Sequence, residues 1–342
     1  MTTWHEDILG VGFSYATLEL HPDEQGEAYA TLIRYLPQED QEAGERPDPA
    51  FAFIAIHGWN DYFYQTELAR TITSLGGQFY AIDLRRYGRS HREGQLWGYV
   101  DDLSTYDEDL HAALDIIFDT HGYSIPLVMY GHSTGGLTAA LWADRHPGAL
   151  AGLILNSPWL EFQGSTLMRQ IGQPLIDALA YLSPTTIIPT ADNGFYQRVL
   201  TGWTDADGDM PPHTPGDPFF EGGWNPDDRY RHFPSFPVRA GWLSAVLAGH
   251  YRISEGLELD TPVLVVTSAR SIAAEEWSDE LRTGDAVLDV AQMWKRLPTL
   301  AQSVTLAKVD GAIHDVLFSR AEVRRVAYDH ISRWIRGFIV GN

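Results

Sequence analysis

The sequence predicts an α/β protein with a mostly parallel, doubly wound sheet that is interrupted by an inserted lid. Three observations support this prediction. Short continuous apolar runs alternate with segments of helical spacing from about residue 50 to residue 155, which is typical of strands buried on both faces of a parallel sheet. The alternation resumes after about residue 260. Between the two stretches lies a segment rich in proline and aromatic residues, which breaks the strand-and-helix rhythm.

The individual elements follow from periodicity. A hairpin is predicted for residues 13–20 and 28–36, around a turn-like stretch at 21–26, and an acidic loop is predicted at 37–49. Further strands are predicted at residues 51–56, 78–82, 127–130, 153–155, 262–267 and 304–309. Helices are predicted at residues 62–75, 103–118, 137–145, 287–296 and 322–339.

The inserted segment divides the chain into three parts. Residues 1–157 are expected to form the first part of the core, including the N-terminal hairpin, and residues 260–342 the second part. Residues 158–259 are expected to form the lid. Their aromatic side chains are too numerous for a solvated loop, so the lid must pack on the sheet, most naturally at the carboxyl ends of the strands.

Composition excludes several classes of function. The chain has 24 Lys and Arg residues against 46 Asp and Glu, a formal net charge of −22, and such a field repels the phosphates of nucleic acids. The absence of cysteine excludes thiolate nucleophiles and cysteine zinc sites. The longest apolar run, residues 50–56, is far shorter than a bilayer span. We therefore expect a cytoplasmic protein without an integral membrane segment.

The strongest local signal is the motif Gly131-His132-Ser133-Thr134-Gly135-Gly136, which lies between a predicted strand and a predicted helix. A serine at such a sharp turn needs neighbours without side chains two positions away, which Gly131 and Gly135 provide. The turn presents the Ser133 hydroxyl at the N-terminus of the predicted helix, where the N–H of Thr134 can stabilise an oxyanion. Ser133 is therefore predicted to be a nucleophile.

A hydroxyl nucleophile needs a base, and a neutral imidazole needs a carboxylate that sets its tautomer. His314 follows the last predicted strand, in a turn at the sheet edge where the nucleophile is also expected. For the acid, Asp285 adjoins the start of a predicted helix after the lid. Glu275 and Asp289 in the same stretch are the alternatives.

Several segments together carry a family pattern, in addition to the order Ser133, acid, His314. They are His57-Gly58, residues 81–90, residues 131–136, Ser157-Pro158, Ser183-Pro184 and residues 311–314. On these segments the chain resembles the lid-bearing α/β-hydrolases of the monoglyceride lipase and lysophospholipase group, also described as serine aminopeptidase-like hydrolases. The resemblance covers most of the chain from about residue 50 onward and implies the α/β-hydrolase fold.

The resemblance also implies a second oxyanion donor, the backbone N–H of the residue after His57-Gly58, which is Trp59, alongside the N–H of Thr134. The chain departs from the family at this point, because Trp59-Asn60-Asp61-Tyr62 replaces the usual small loop that contains Gly and Glu. Three candidate substrate-binding residues lie at a predicted strand end or in the lid: His57, Trp159 and His250. Both histidines also have a structural interpretation.

These features predict a serine hydrolase that cleaves carboxylic esters with an apolar acyl group through an acyl-enzyme, as carboxylesterases, monoacylglycerol lipases and lysophospholipases do. The expected partner is a small-molecule ester or a monoacyl lipid, and the oligomeric state is not indicated. No metal or nucleotide motif occurs in the sequence, so no cofactor is expected. Alternatives are a peptidase or amidase, with the acidic residues 205–209 binding an amino terminus, a C–C hydrolase, and a non-catalytic ligand-binding protein.

Overall fold

A nine-stranded sheet forms the centre of the part of the chain that the structure describes. This computed structural model describes residues 2–37, 48–162, 166–189 and 193–341, with only the helical backbone for residues 166–173. The strands are β1 (His5–Glu6), β2 (Phe13–Asp23), β3 (Gly26–Tyr35), β4 (Phe51–Ile56), β5 (Gly77–Asp83), β6 (Leu127–His132), β7 (Gly152–Asn156), β8 (Val263–Ser268) and β9 (Val304–Val309). Their order across the sheet is β1-β2-β3-β5-β4-β6-β7-β8-β9.

The sheet is mostly parallel, as predicted. The hairpin of β2 and β3 pairs Phe13 with Tyr35, and β3 joins β5 in antiparallel register. From β5 to β9 every neighbouring pair is parallel. The six residues of β4 are all buried and alternate between two hydrophobic clusters, with Phe53 in one and Ile54 in the other. The sheet is therefore covered on both faces, which explains the continuous apolar runs.

The helices flank this sheet, and their bounds differ in part from the predicted ones. They are α1 (Thr66–Ser74), α2 (Tyr106–His121), α3 (Thr134–Arg145), α4 (Thr166–Leu182), α5 (Phe195–Leu200), α6 (Ala240–Glu255), α7 (Val290–Trp294) and α8 (Ala321–Ile335). A 3₁₀ turn at Leu103–Thr105 precedes α2, and a π-helical turn at Arg336–Val340 follows α8. In the described residues, none of the helices combines the length and the hydrophobicity needed to cross a membrane.

The prediction of a helix from residue 62 was wrong for its first turn. Phe63 N–H donates to the Asp83 carboxylate (2.8 Å), and the Tyr62 hydroxyl accepts from the N–H of Asp227 (2.7 Å). These long-range bonds hold the chain in a non-helical path until Thr66, where α1 begins. Most of the predicted acidic loop at 37–49 lies outside the described residues.

The segment between β7 and β8 contains α4, α5 and α6, and it is not a uniform cover. Helix α6 is largely buried, and its Trp242 and Val246 belong to the same hydrophobic cluster as the core strands. A side chain added at Gly249 would come within 2.9 Å of Leu141 on α3, so α6 packs closely on α3. The division into a core of residues 1–157 and 260–342 and a lid of residues 158–259 stays a prediction.

A buried ion network connects the N-terminal segment to the sheet. The Arg89 guanidinium lies 2.6 Å from one oxygen of Asp7 and 2.8 Å from one oxygen of Asp83, and all three side chains are at most 5% exposed. Arg89 also donates to the carbonyl oxygen of Phe63 (3.2 Å). The two carboxylates are tolerated in the interior because this one cation pairs with both of them and backbone N–H groups of Leu9 and Phe63 donate to their oxygens.

Replacing Arg89 by leucine should lower the free energy of unfolding by about 3–5 kcal/mol, because two buried carboxylates lose their counter-ion. Urea denaturation measures this change. The matched control is Arg229→Leu, which removes an ion pair with Asp227 from a side chain that is 68% exposed and should cost less than about 1 kcal/mol. Equal losses for the two variants would contradict the structural role given to Arg89.

Candidate active site

A sharp turn places Ser133 between β6 and α3. Ser133 has a φ of 53° and a ψ of −116°. This backbone conformation is unfavourable in free energy for a residue that carries a side chain. The N–H of Ser133 donates to the carbonyl oxygen of Asn156 at the end of β7 (3.0 Å), and its own carbonyl oxygen accepts from the N–H of Gly136 (3.0 Å). Helix α3 therefore starts at Thr134, immediately after the serine, and not at residue 137 as predicted.

The two glycines of the motif are required by close backbone contacts. A Cβ atom at Gly131 would lie 2.7 Å from the Cα of Gly136, and one at Gly135 would lie 2.6 Å from the carbonyl oxygen of Ile56. Real Cβ contacts are never this short, so the turn excludes any larger residue at either position. The absence of a side chain at Gly135 lets the end of β4 approach the start of α3.

His314 lies between Ser133 and Asp285. Its Nε2 is 3.1 Å from the Ser133 hydroxyl oxygen, and its Nδ1–H donates to Asp285 Oδ2 over 2.9 Å. The imidazole and the carboxylate are 3% and 1% exposed. Among the three sequence candidates for the acid, Asp285 is the one that meets His314: Glu275 is exposed, and Asp289 accepts from the N–H of Ala291 (2.9 Å) at the start of α7.

The backbone around Asp285 holds its carboxylate in place. Oδ1 accepts from the N–H groups of Val287 and Leu288, both at 2.8 Å, which leaves Oδ2 for His314. The predicted helix at 287–296 was too long. Asp289 has an extended backbone (φ −80°, ψ 101°) and its side chain accepts from the N–H of Ala291, so the helix runs only from Val290 to Trp294.

Buried polar residues that the sequence did not indicate support the loop that carries His314. Asn156 donates to Asp315 Oδ1 (2.6 Å) and to the hydroxyl of Tyr130 (2.7 Å), and its Oδ1 accepts from the N–H of Val316 (3.2 Å). Gln65 adds a bond to the other oxygen of Asp315 (3.4 Å). One asparagine thus bonds both the serine turn and the histidine loop. An asparagine at the end of a buried strand is the sequence signal that could have revealed it.

Two aromatic rings contact the His314 ring from different elements. His132 lies 5.0 Å away, centroid to centroid, and Tyr196 of α5 meets His314 edge-on at 5.6 Å. Burial lowers the pKa of His132, which keeps this ring neutral beside His314. Burial also raises the pKa of Tyr196 well above its ordinary value, so its hydroxyl remains protonated.

The two backbone groups predicted as oxyanion donors lie next to the serine turn. A Cβ atom at Gly58 would be 3.2 Å from the Cβ of Ser133, so the loop that carries Trp59 packs directly on Ser133. The N–H of Thr134 is at the first turn of α3, where helical N–H groups have no intrahelical partner. Within the described residues, neither N–H donates a hydrogen bond to the protein.

The three candidate substrate-binding residues have structural contacts. His57 uses both ring nitrogens, one toward the carbonyl oxygen of Gly58 (2.8 Å) and one toward the N–H of Leu84 (3.1 Å). The backbone N–H of Trp159 donates to the carbonyl oxygen of Ser133 (2.9 Å), and His250 Nε2 contacts the carbonyl oxygen of Trp159 (2.9 Å). Contact of these residues with a substrate stays a prediction.

A small cavity of about 10 Å³ adjoins the predicted oxyanion donors. Its lining is largely apolar and includes Gly58, Thr134, Leu137, Trp242 and Val246. A volume of this size holds about one water molecule, so Trp242 and its neighbours nearly fill the space behind the donors. No group of three or more metal-ligating side chains was found in the part of the chain that the structure describes.

Comparison with known proteins identifies the fold. The family model described as serine aminopeptidase, S33, matches residues 47–200. A soluble variant of the monoglyceride lipase of Saccharomyces cerevisiae, solved with a substrate analogue, superposes with a TM-score of 0.63 at 15% identity and covers 99% of this chain and 95% of that one. A carboxyl esterase from Bacillus coagulans gives 0.58 at 16% identity, over 95% and 99%. The protein has the α/β-hydrolase fold.

Curated proteins are similar to this chain over part of their length. The monoacylglycerol lipase of Mycolicibacterium smegmatis is 29% identical over 112 residues, or 32% of this chain and 39% of that protein. The human monoglyceride lipase is 30% identical over 111 residues, or 32% and 35%. The chain thus spans little more than a third of these relatives. The resemblance to the monoglyceride lipase group that the motifs indicated is confirmed.

Replacing Gly135 by alanine should disrupt the turn at Ser133, because the added methyl group would be forced against the backbone of residues 56 and 57. We expect a loss of stability of about 1–3 kcal/mol, as for overpacking of a well-packed site, measured by thermal unfolding. The matched control is Gly337→Ala, where an added Cβ would have no neighbour within 4 Å. A Gly135→Ala variant as stable as the control would refute the close approach.

Proposed function

We propose that this α/β-hydrolase is a serine hydrolase that cleaves carboxylic esters with an apolar acyl group through an acyl-enzyme. The single observation that supports the proposal is the position of His314, within hydrogen-bond distance of both the Ser133 hydroxyl (3.1 Å) and the Asp285 carboxylate (2.9 Å). An imidazole with this pair of partners can remove a proton from the hydroxyl and remain stabilised as the cation. The similarity to lipases and esterases agrees with this chemistry.

In the acylation step, the Ser133 oxygen attacks the ester carbonyl carbon while His314 Nε2 takes the hydroxyl proton. Asp285 holds Nδ1–H and stabilises the imidazolium that forms. The carbonyl oxygen becomes an oxyanion, and we assign its stabilisation to the N–H groups of Trp59 and Thr134. His314 then gives its proton to the leaving alcohol, and the C–O bond of the ester breaks.

In the deacylation step, water replaces the alcohol. His314 removes a proton from the water, which attacks the carbonyl carbon of the acyl-enzyme, and the same two N–H groups stabilise the second oxyanion. Collapse of this intermediate returns the proton to the Ser133 oxygen and releases the carboxylic acid. The neutral His132 ring beside His314 adds no charge that would oppose formation of the imidazolium.

The surroundings of the site favour an apolar ester over a substrate with a free amino terminus. The Trp59 ring lies 3.8 Å from that of Trp242, centroid to centroid, beside the cavity behind the oxyanion donors. Buried carboxylates around the site already have partners: Asp61 pairs with Arg231 (3.0 Å), Asp285 with His314, and Asp315 with Asn156. An ammonium group would therefore find no uncommitted carboxylate among these, and a monoacyl lipid or a small ester fits better.

The acidic stretch 205–209 does not favour the peptidase alternative. Asp207 bonds to Arg198 (2.5 Å) and lies 3.3 Å from Arg282. The hydroxyl of Thr204 and these arginines lower the pKa of Asp207 to about 2, so this carboxylate is ionised and already paired. Comparing the hydrolysis of a p-nitrophenyl acyl ester with that of an aminoacyl nitroanilide tests the two substrate classes directly, and faster anilide cleavage would support the peptidase.

A fluorophosphonate probe should label the protein at Ser133, and Ser133→Ala should abolish both labelling and ester hydrolysis. The physical reason is that the probe, like an ester, needs an activated hydroxyl to attack it. Mass spectrometry locates the adduct, and circular dichroism shows whether the variant is folded. A folded wild-type protein that is neither labelled nor active on esters would favour the alternative of a non-catalytic binding protein.

Asp285→Asn should reduce kcat by about 10²–10⁴-fold, because the amide no longer stabilises the imidazolium or the required tautomer of His314. Steady-state kinetics with the p-nitrophenyl ester measures this effect. The control Asp289→Asn retains a side-chain oxygen that can cap α7 and should leave kcat within about twofold. If the two variants have the same activity, Asp285 is not the acid.

A further inference from the structure

The loop after the predicted oxyanion donor is bound to the lid through three consecutive residues. Asn60 Nδ2 donates to the carbonyl oxygen of His232 (2.8 Å), and Asn60 Oδ1 accepts from the N–H of the same residue (3.2 Å). Asp61 forms an ion pair with Arg231 (3.0 Å). The hydroxyl of Tyr62 accepts from the N–H of Asp227 (2.7 Å). The lid segment 227–232 is therefore bound to residues 60–62 by hydrogen bonds and one ion pair. The hydrogen bonds involve backbone groups of the lid segment.

The side chain of Trp59 is held by the lid as well. Its ring lies 4.6 Å from that of Phe236 and 3.8 Å from that of Trp242, centroid to centroid. Tyr87 of the core contacts the ring from another side at 6.0 Å. Both the side chain of Trp59 and the residue that follows it are thus positioned by the segment between β7 and β8.

The backbone on the other side of Trp59 is held by the nucleophile's turn, because Gly58 packs within contact distance of Ser133. Asn60 has a φ of 53°, in the left-handed region, and is 7% exposed. Asparagine and glycine are the residues that adopt this region most readily. The orientation of the Trp59 N–H is set by the torsion angles of its neighbours, and one neighbour rests on the serine turn while the other is tied to the lid.

We propose that Asn60 is a positioning residue that couples the oxyanion-binding N–H of Trp59 to the lid, so that the oxyanion site is complete only when segment 227–232 is docked. The inference rests on the proposed function, because it assigns a task to the oxyanion site of that reaction. Asn60 does not touch the substrate. The Asn60 side chain fixes the position of the residue that follows Trp59. Through the two hydrogen bonds between Asn60 and His232, a movement of the lid changes how strongly the Trp59 N–H stabilises the oxyanion.

The test is Asn60→Gly, which retains the left-handed backbone but removes both bonds to His232. With a p-nitrophenyl ester, kcat per active site should fall by about 10- to 100-fold, as expected when a catalytic group is misplaced by about 1 Å. KM should change by less than about threefold, because the interaction concerns the transition state. Fluorophosphonate titration counts the folded active sites, so partial unfolding is not mistaken for a lower rate.

A transition-state analogue distinguishes positioning from a purely structural role. A trifluoromethyl ketone that forms a hemiketal with Ser133 places an oxyanion in the same site, so its inhibition constant should rise by the same factor as kcat/KM falls. A variant that only destabilises the fold would lower the titrated number of sites and leave the inhibition constant unchanged, which would overturn the proposal.

The matched control is Asn225→Gly, on the same lid. Asn225 also has a positive φ, of 44°, but it is exposed, and its side chain makes no hydrogen bond within the described part of the chain. This variant should retain wild-type kcat and inhibition. Should Asn60→Gly fail to fold, Asn60→Asp replaces it, since it suits the same backbone and retains only the acceptor for His232 N–H. A loss of kcat is again expected there.

Failure of the inference and failure of the proposed function give different results. If the wild-type protein does not hydrolyse esters and is not labelled, the proposed function fails. If the wild type is active and both the Asn60 variants and Asn225→Gly retain its kcat within about twofold, the proposed function stands and the coupling through Asn60 is refuted.

Discussion

The turn at Ser133 is the constraint on which the site depends. The serine occupies a positive φ directly between β6 and α3, and this arrangement is possible only because Gly131 and Gly135 leave room for neighbouring backbone. The missing side chain at Gly135 also lets the end of β4 approach the start of α3. The loop that carries Trp59 continues from that strand end, so the same contact brings the predicted oxyanion donors together.

The buried network around Asn156 extends this constraint to the histidine loop. The carbonyl oxygen of Asn156 accepts from Ser133, and its side chain bonds Asp315 and Val316, the residues next to His314. A single residue at the end of β7 therefore connects the turn of Ser133 to the loop of His314. Such a network is stable in a dry interior because its hydrogen bonds satisfy the groups that it buries.

The segment between β7 and β8 contributes to the site in two ways. Helix α6 packs into the main core through Trp242 and Val246, beside the cavity behind the oxyanion donors. Residues 227–232 bond the loop after Trp59. Each of residues 60–62 has a partner in this part of the segment between β7 and β8: His232, Arg231 and Asp227 in turn.

The sequence by itself determined eight of the nine strands that the structure describes, all but the short β1, together with the parallel sheet and the motif around Ser133, because continuous apolar runs and glycine spacing are local properties of the chain. It also placed Ser133 and His314 at one sheet edge, which follows from the rule that loops after parallel strands gather there. Only the tertiary structure decided that Asp285, and not Glu275 or Asp289, meets His314, and that α1 and α7 start late. The tertiary structure likewise decided which partners Asn156 and Asn60 bond, because their hydrogen bonds to Asp315, Val316 and His232 join residues more than 150 positions apart, and no local pattern records how such distant segments pack.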